Sequence, residues 1–126
     1  MNKENKLIPG LPSGFEDRWE NKLLLKKKLL KAIENNFIKF GAEPLETPSF
    51  EISENIGSFL AEDQANPMSD VFSFKDGEKS ITLRYDLSSP LARFVAQNNQ
   101  ALPSIFKRYQ IQNVFRNEKA GNGRYR

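Results

Sequence analysis

The sequence predicts an α+β fold: part of an antiparallel sheet with helices packed around it. Three observations carry this. Apolar residues recur at three- and four-residue steps between Leu23 and Phe40, which is a helical period. Two short apolar runs flank Asp76-Gly77, the pattern of a hairpin. Hairpin and helix signals then mix along the chain, with none of the regular strand–helix alternation of a doubly wound parallel sheet.

Taken in order, Met1 to Gly14 holds Pro and Gly among polar residues and reads as an extended lead-in. A helix follows, with Asp17 as N-cap and Glu20 as its capping-box partner. Leu23, Leu29, Leu30, Ile33, Phe37 and Phe40 form its apolar stripe, and Lys26 to Lys28 read as a solvated face rather than an RNA contact. Gly41 ends the helix as a C′ residue. Glu43 to Thr47 reads as a strand ending at Pro48, and Phe50 to Leu60 as a helix with Phe50, Ile56, Phe59 and Leu60 inward. Ala61 to Asp70 is a polar loop. Val71 to Phe74 and Ile81 to Arg84 are the hairpin strands. Ser89 as N-cap and Pro90 at N1 open another helix, with Leu91, Phe94 and Val95 on its apolar face. Past Pro103, Ile105 to Arg116 reads as one long strand, and Glu118 to Gly123 as a turn.

Composition excludes several function classes. The 126 residues contain no Cys, so disulfide frameworks and thiolate metal sites are out, and no His, so the commonest general base is missing. No metal site is expected. The polar N-terminus gives no secretory signal, and apolar runs of three residues span no membrane, so a cytoplasmic location is expected. The net charge of +3 is compatible with a polyanionic partner without demanding one. Neither G-x-x-x-x-G-K-[ST] nor G-x-G-x-x-G occurs, so any phosphate must be held by side chains.

The segment FRNEKAGNGRYR offers such side chains. Arg116 ends a strand, Glu118 lies two residues on and on the same face, and Arg124 follows the turn. A fixed Arg can grip phosphate oxygens bidentately and offset charge that builds at phosphorus. Alone, this set also describes a charged hairpin tip.

Its company makes it specific. GAEPLETPSFE, TLRYDLSSPLARF and KRYQIQNVFRNEKAGNGRYR occur in that order and together cover Gly41 to Arg126. The first resembles motif 1 of class II aminoacyl-tRNA synthetases and the last resembles motif 2, with its F-R-x-E core at Phe115, Arg116 and Glu118. The middle segment and the G-R-Y-R ending resemble the histidyl members of that family. The resemblance implies an N-terminal part of a class II catalytic domain over 1–126. Motif 1 would lie at about 30–50, a histidine-binding segment at about 81–90, and the first half of motif 2 at about 106–126.

The resemblance also implies roles. Pro48 and its strand belong to a homodimer interface. Asp86, Leu87 and Ser88 hold histidine, with Asp86 on its α-amino group. Arg116 is the catalytic residue, gripping the ATP α-phosphate and the substrate carboxylate. Glu118 and Arg124 sit in a loop that contacts ATP and tRNA. The implied partners are L-histidine, ATP with Mg²⁺ as a substrate, tRNA(His) and a second copy, with no prosthetic group. The return strand of motif 2, motif 3 and the anticodon-binding domain are expected to lie outside these residues. The 126 residues alone are therefore expected to form an incomplete sheet of marginal stability with little activity. Two alternatives remain: a synthetase-like regulatory paralogue of histidine biosynthesis, and a non-catalytic RNA-binding or dimerisation module.

Overall fold

The computed structural model describes residues 8–56, 71–123, 125 and 126. Helix α1 spans Glu20–Lys39 and helix α3 Ser88–Asn98, with a single turn, α2, at Ser53–Ile56. The strands are β1 (Glu43–Pro44), β2 (Phe50–Ile52), β3 (Ser73–Asp76), β4 (Lys79–Leu83) and β5 (Arg108–Tyr109). Strands β2, β4 and β3 form an antiparallel sheet in that order, as the α+β reading requires. Strand β1 pairs separately with β5, and this pair is parallel, Glu43 facing Arg108 and Pro44 facing Tyr109.

The start of α1 differs from expectation. Trp19 is the N-cap residue and no side chain caps the helix, because the backbone passes through Glu20 at φ +53° before helical geometry begins. Asp17 is thereby left outside capping reach. The other end is as expected: Gly41 lies at φ +74°, its N–H donates to the Ile38 carbonyl and that of Ala42 to Phe37. These two bonds are a Schellman motif, and the positive φ suits Gly alone.

The apolar stripe of α1 forms as a pattern but is not buried: the helix contains no buried residue, and Leu24, Leu25, Leu29, Ile38 and Phe40 are exposed. Leu23 and Leu30 are half-buried, and Phe37 stacks on Tyr109 of β5 with centroids 5.5 Å apart. That stack holds α1 against the β1–β5 pair.

The expected helix from Phe50 is replaced by β2 and then α2. Phe50 pairs with Leu83 in the ladder and its side chain is exposed, packing edge-on against Phe74. Ile56 is buried as expected, whereas Phe59, Leu60 and the loop 61–70 lie outside the described residues. The hairpin forms two residues later than expected on its first strand. Asp76 pairs with Lys79, so Gly77 and Glu78 make the turn, with Gly77 at φ +60°.

Helix α3 begins at Ser88 rather than after Ser89, and the cap comes from Asp86, whose Oδ1 accepts the Ser89 N–H at 3.1 Å. Pro90 is fully buried in its first turn, where a missing N–H does no harm. Of the expected long strand at Ile105–Arg116, only Arg108–Tyr109 makes a ladder. Residues 110–116 are fastened one contact at a time, mostly by side chains, because among the described residues no strand runs continuously beside them.

The buried interior is mainly polar. Ile56 and Val71 are the buried aliphatic residues among those described, against Thr47, Glu51, Thr82 and Arg84. Each polar group is paired. Thr82, at 0% exposure, shares hydrogen bonds with the hydroxyls of Ser53 and Ser73. Glu51 takes a bidentate ion pair from Arg93 of α3, at 2.7 and 2.8 Å, which joins helix to sheet. Donating to the Glu51 carboxylate holds the Arg93 pKa above its usual value, against the opposing effect of burial.

Candidate active site

The end of β4 and the segment after it place the site. Strand alternation puts Thr82 and Arg84 on one face, and both go inward. Arg84 is 3% exposed and spends its guanidinium on backbone carbonyls: Nη1 donates to Thr47 at 2.8 Å and to Pro48 at 3.2 Å, and Nε donates to Asn113 at 2.6 Å. Burial pushes its pKa down, while the charges of Glu46 and Glu51 oppose the shift. Its own backbone N–H donates to Ser49, and its carbonyl accepts the Phe115 N–H at 3.0 Å. Arg84 thus fastens segment 47–49 to the segment that carries Arg116.

Thr47 reinforces this junction. Its N–H donates to Gln112 Oε1 at 3.0 Å and its carbonyl accepts from Gln112 Nε2 at 3.2 Å. The side-chain amide of Gln112 therefore does what a neighbouring strand's peptide would do. Gln110 Nε2 donates to Thr47 Oγ1 and to Gln112 Oε1, leaving Gln110 Oε1 buried with no partner.

From this base the chain projects Tyr85 and Asp86. Asp86 is half-buried and lines a pocket of ≈ 80 Å³ with Glu51, Ile56, Arg84, Tyr85, Ser89 and Pro90. One of its oxygens caps α3. A carboxylate has about four acceptor sites, so it can cap the helix and still receive an ammonium group. Leu87 is half-buried as the N-cap of α3, and Ser88 is exposed on its first turn, away from the pocket lining.

Arg116 is exposed. Its guanidinium carbon stands 4.4 Å from the centroid of the Tyr85 ring, and Nε points to the Tyr85 carbonyl at 3.4 Å. The Tyr85 hydroxyl donates to Glu118 Oε1 at 2.8 Å. The structure therefore gathers Asp86, Arg116 and Glu118 around one residue, Tyr85, that sequence reasoning left without a role. Arg124 lies outside the described residues. Pro48 is exposed, and its carbonyl is tied to Arg84. Sequence reasoning also missed Arg84. The one available signal was its two-residue offset from Thr82, which puts an Arg on a buried face.

The arrangement joins a carboxylate over a small pocket to an exposed guanidinium on an aromatic platform, suited to a ligand with a cationic and an anionic group. Residues 16–124 match the family described as tRNA synthetases class II core domain (F). The chain belongs to the class II tRNA synthetase core-domain family.

Relatives narrow the kind of class II core that this chain resembles. Over all 126 residues it is 81% identical to a histidine–tRNA ligase of Pelagibacter ubique (strain HTCC1062), covering 27% of that protein. Over 98% of its length it is 43% identical to a histidine–tRNA ligase of Rhodopseudomonas palustris (strain BisB18), covering 24% of that protein. The chain thus spans about a quarter of the length of these curated relatives. Among solved structures, a histidyl-tRNA synthetase from Nostoc sp. PCC 7120 superposes over 88% of the chain and 26% of its own, with a TM-score of 0.72 at 28% identity. A Bacillus halodurans protein described as an ATP phosphoribosyltransferase regulatory subunit/histidyl-tRNA synthetase reaches 0.75 over 90% of the chain and 29% of its own. At 21% identity that likeness speaks for the fold alone.

Proposed function

We propose that this class II core is part of a histidine–tRNA ligase, which activates histidine with ATP and transfers it to the 3′ end of tRNA(His). The observation that carries this reading is the 81% identity, over the whole chain, to the Pelagibacter ubique ligase. The site geometry supports it. Asp86, over its pocket, receives the histidine ammonium group, with Leu87 and Ser88 alongside. Arg116, exposed on Tyr85, faces the ATP α-phosphate and the histidine carboxylate. Glu118 and Arg124 contact ATP and the tRNA acceptor end.

In this reading the histidine carboxylate attacks the α-phosphate, and pyrophosphate leaves. The residues present contribute by positioning the two reactants and by offsetting negative charge at phosphorus through Arg116. No proton need be moved by the protein in this step. Among the described residues no group of three or more acidic side chains comes together. Pro48 and its segment belong to a homodimer interface, and the protein works in the cytoplasm. No helix among the described residues is long and apolar enough to cross a membrane.

The test is amino-acid-dependent ATP–pyrophosphate exchange by the longer protein that carries this chain. Exchange with histidine and with no other amino acid is expected. Tight tRNA-independent binding to a histidine-biosynthetic enzyme, with no exchange, would instead establish the regulatory paralogue.

A further inference from the structure

We infer that Tyr85 is the positioning residue for Arg116: its ring and carbonyl hold the guanidinium while its hydroxyl holds Glu118 aside. The inference rests on the ligase reading for the identity of the ligand, ATP, and deepens it by naming what orients the residue that meets the phosphate.

The geometry points one way from three sides. The guanidinium lies 4.4 Å from the ring centroid, well inside the roughly 6 Å reach of a cation–π contact. Nε faces the Tyr85 carbonyl, so one edge of the fork is already turned toward the protein. Among the described residues the two terminal nitrogens of Arg116 make no hydrogen bond, and they are the pair that grips an anion bidentately. The backbone keeps the parts in register: the Phe115 N–H bonds to the Arg84 carbonyl, and the Arg116 N–H to the Arg126 carbonyl at 3.2 Å. An unrestrained Arg would lose rotamer freedom on gripping phosphate, and the platform removes part of that loss beforehand.

The hydroxyl acts on the neighbouring charge. Glu118 stands two residues beyond Arg116, near enough along the chain to pair with it and neutralise it. Its Oε1 instead accepts the Tyr85 hydroxyl at 2.8 Å. Tyr85 thus keeps the carboxylate occupied and the guanidinium open.

The experiment uses the longer protein carrying this chain, with Tyr85→Leu, Tyr85→Phe and Tyr85→Trp. ATP affinity is measured by titration calorimetry, and KM values by histidine-dependent ATP–pyrophosphate exchange. Loss of the platform in Tyr85→Leu is expected to weaken ATP binding about fivefold and, because Arg116 also faces the histidine carboxylate, to raise the histidine KM by no more than that factor. Tyr85→Phe and Tyr85→Trp keep an aromatic face but release Glu118, so each is expected to weaken ATP binding by no more than about twofold, less than Tyr85→Leu. In an Arg116→Met background the Tyr85→Leu effect should shrink, because the cation that the ring holds is gone. Wild-type ATP affinity in Tyr85→Leu, or equal damage in Tyr85→Phe and Tyr85→Trp, overturns the inference. Should Tyr85→Leu fail to fold, the Tyr85→Trp result decides, since volume changes there and the platform does not. Exchange that fails with histidine while ATP still binds sinks the ligase reading, and the calorimetry still decides the role of Tyr85. No ATP binding by the unsubstituted protein sinks both.

Discussion

At the scale of single residues, Asp86 shows how one carboxylate serves two masters. It caps α3 in the structure, and the ligase reading also gives it the histidine ammonium group. Asp86→Asn separates the two, since Asn caps helices as well as Asp but cannot pair with a cation. The unfolding midpoint is expected to stay unchanged while the histidine KM rises about tenfold or more, measured by exchange kinetics. Arg84 is the opposite case, a charged residue whose described hydrogen bonds all go to the backbone. Arg84→Met strands the carbonyls of Pro48 and Asn113 and leaves that of Thr47 with Gln112 alone, and should cost about 2–4 kcal/mol, read as a fall in the urea midpoint. Asp86 and Arg116 became candidates in the sequence because a resemblance singled them out. Arg84 and Tyr85 were not, because their partners sit in irregular backbone whose path no periodicity encodes.

At the scale of elements, the joints are ionic and polar, and each can be cut. Arg93→Met leaves the Glu51 carboxylate, 5% exposed, without its partner. Removing one member of a buried pair costs about 3 kcal/mol, and the double replacement Glu51→Leu/Arg93→Met should recover much of it in a double-mutant cycle. In the β3–β4 turn, Gly77→Ala puts a Cβ at φ +60° and should cost about 1 kcal/mol in thermal unfolding, although nothing crowds the site. Elements that rest on local chemistry were legible: the Gly41 stop and the Gly77 hairpin each follow from one residue's backbone freedom. Those that rest on partners were not. The apolar residues of 105–116 suggested a continuous strand, but a strand exists only where another lies beside it, and for most of this stretch none does among the described residues. The segment after Phe50 failed for a related reason: its ladder with β4 outcompeted a helical pattern.

At the scale of the molecule, the exposed apolar surface is large for the buried apolar interior. Leu24, Leu25, Leu29 and Phe40 beside α1, with Phe50, Phe74 and Ile105, face outward. Such a surface is a binding or aggregation surface in a chain that stands alone. The isolated 126 residues are therefore expected to bind a hydrophobic dye strongly, to self-associate without a defined end point, and to show no pyrophosphate exchange; the longer protein should bind little dye, stop at a dimer and show exchange. The α+β class was legible because hairpin and helix signals survive without knowing their partners, while the parallel β1–β5 pair, closed across most of the chain, left no local trace. That closure also sets a timetable for the newborn protein. Thr47 is bonded by a residue 65 positions further on, and translation at about 5–20 residues per second delays that residue by roughly 3 to 13 s. During this interval α1 has left the ribosome with its leucines bare and the loop behind it unfastened, so a chaperone has seconds in which to act. Protease protection of the Thr47 segment in stalled nascent chains should switch on only after Gln112 has emerged.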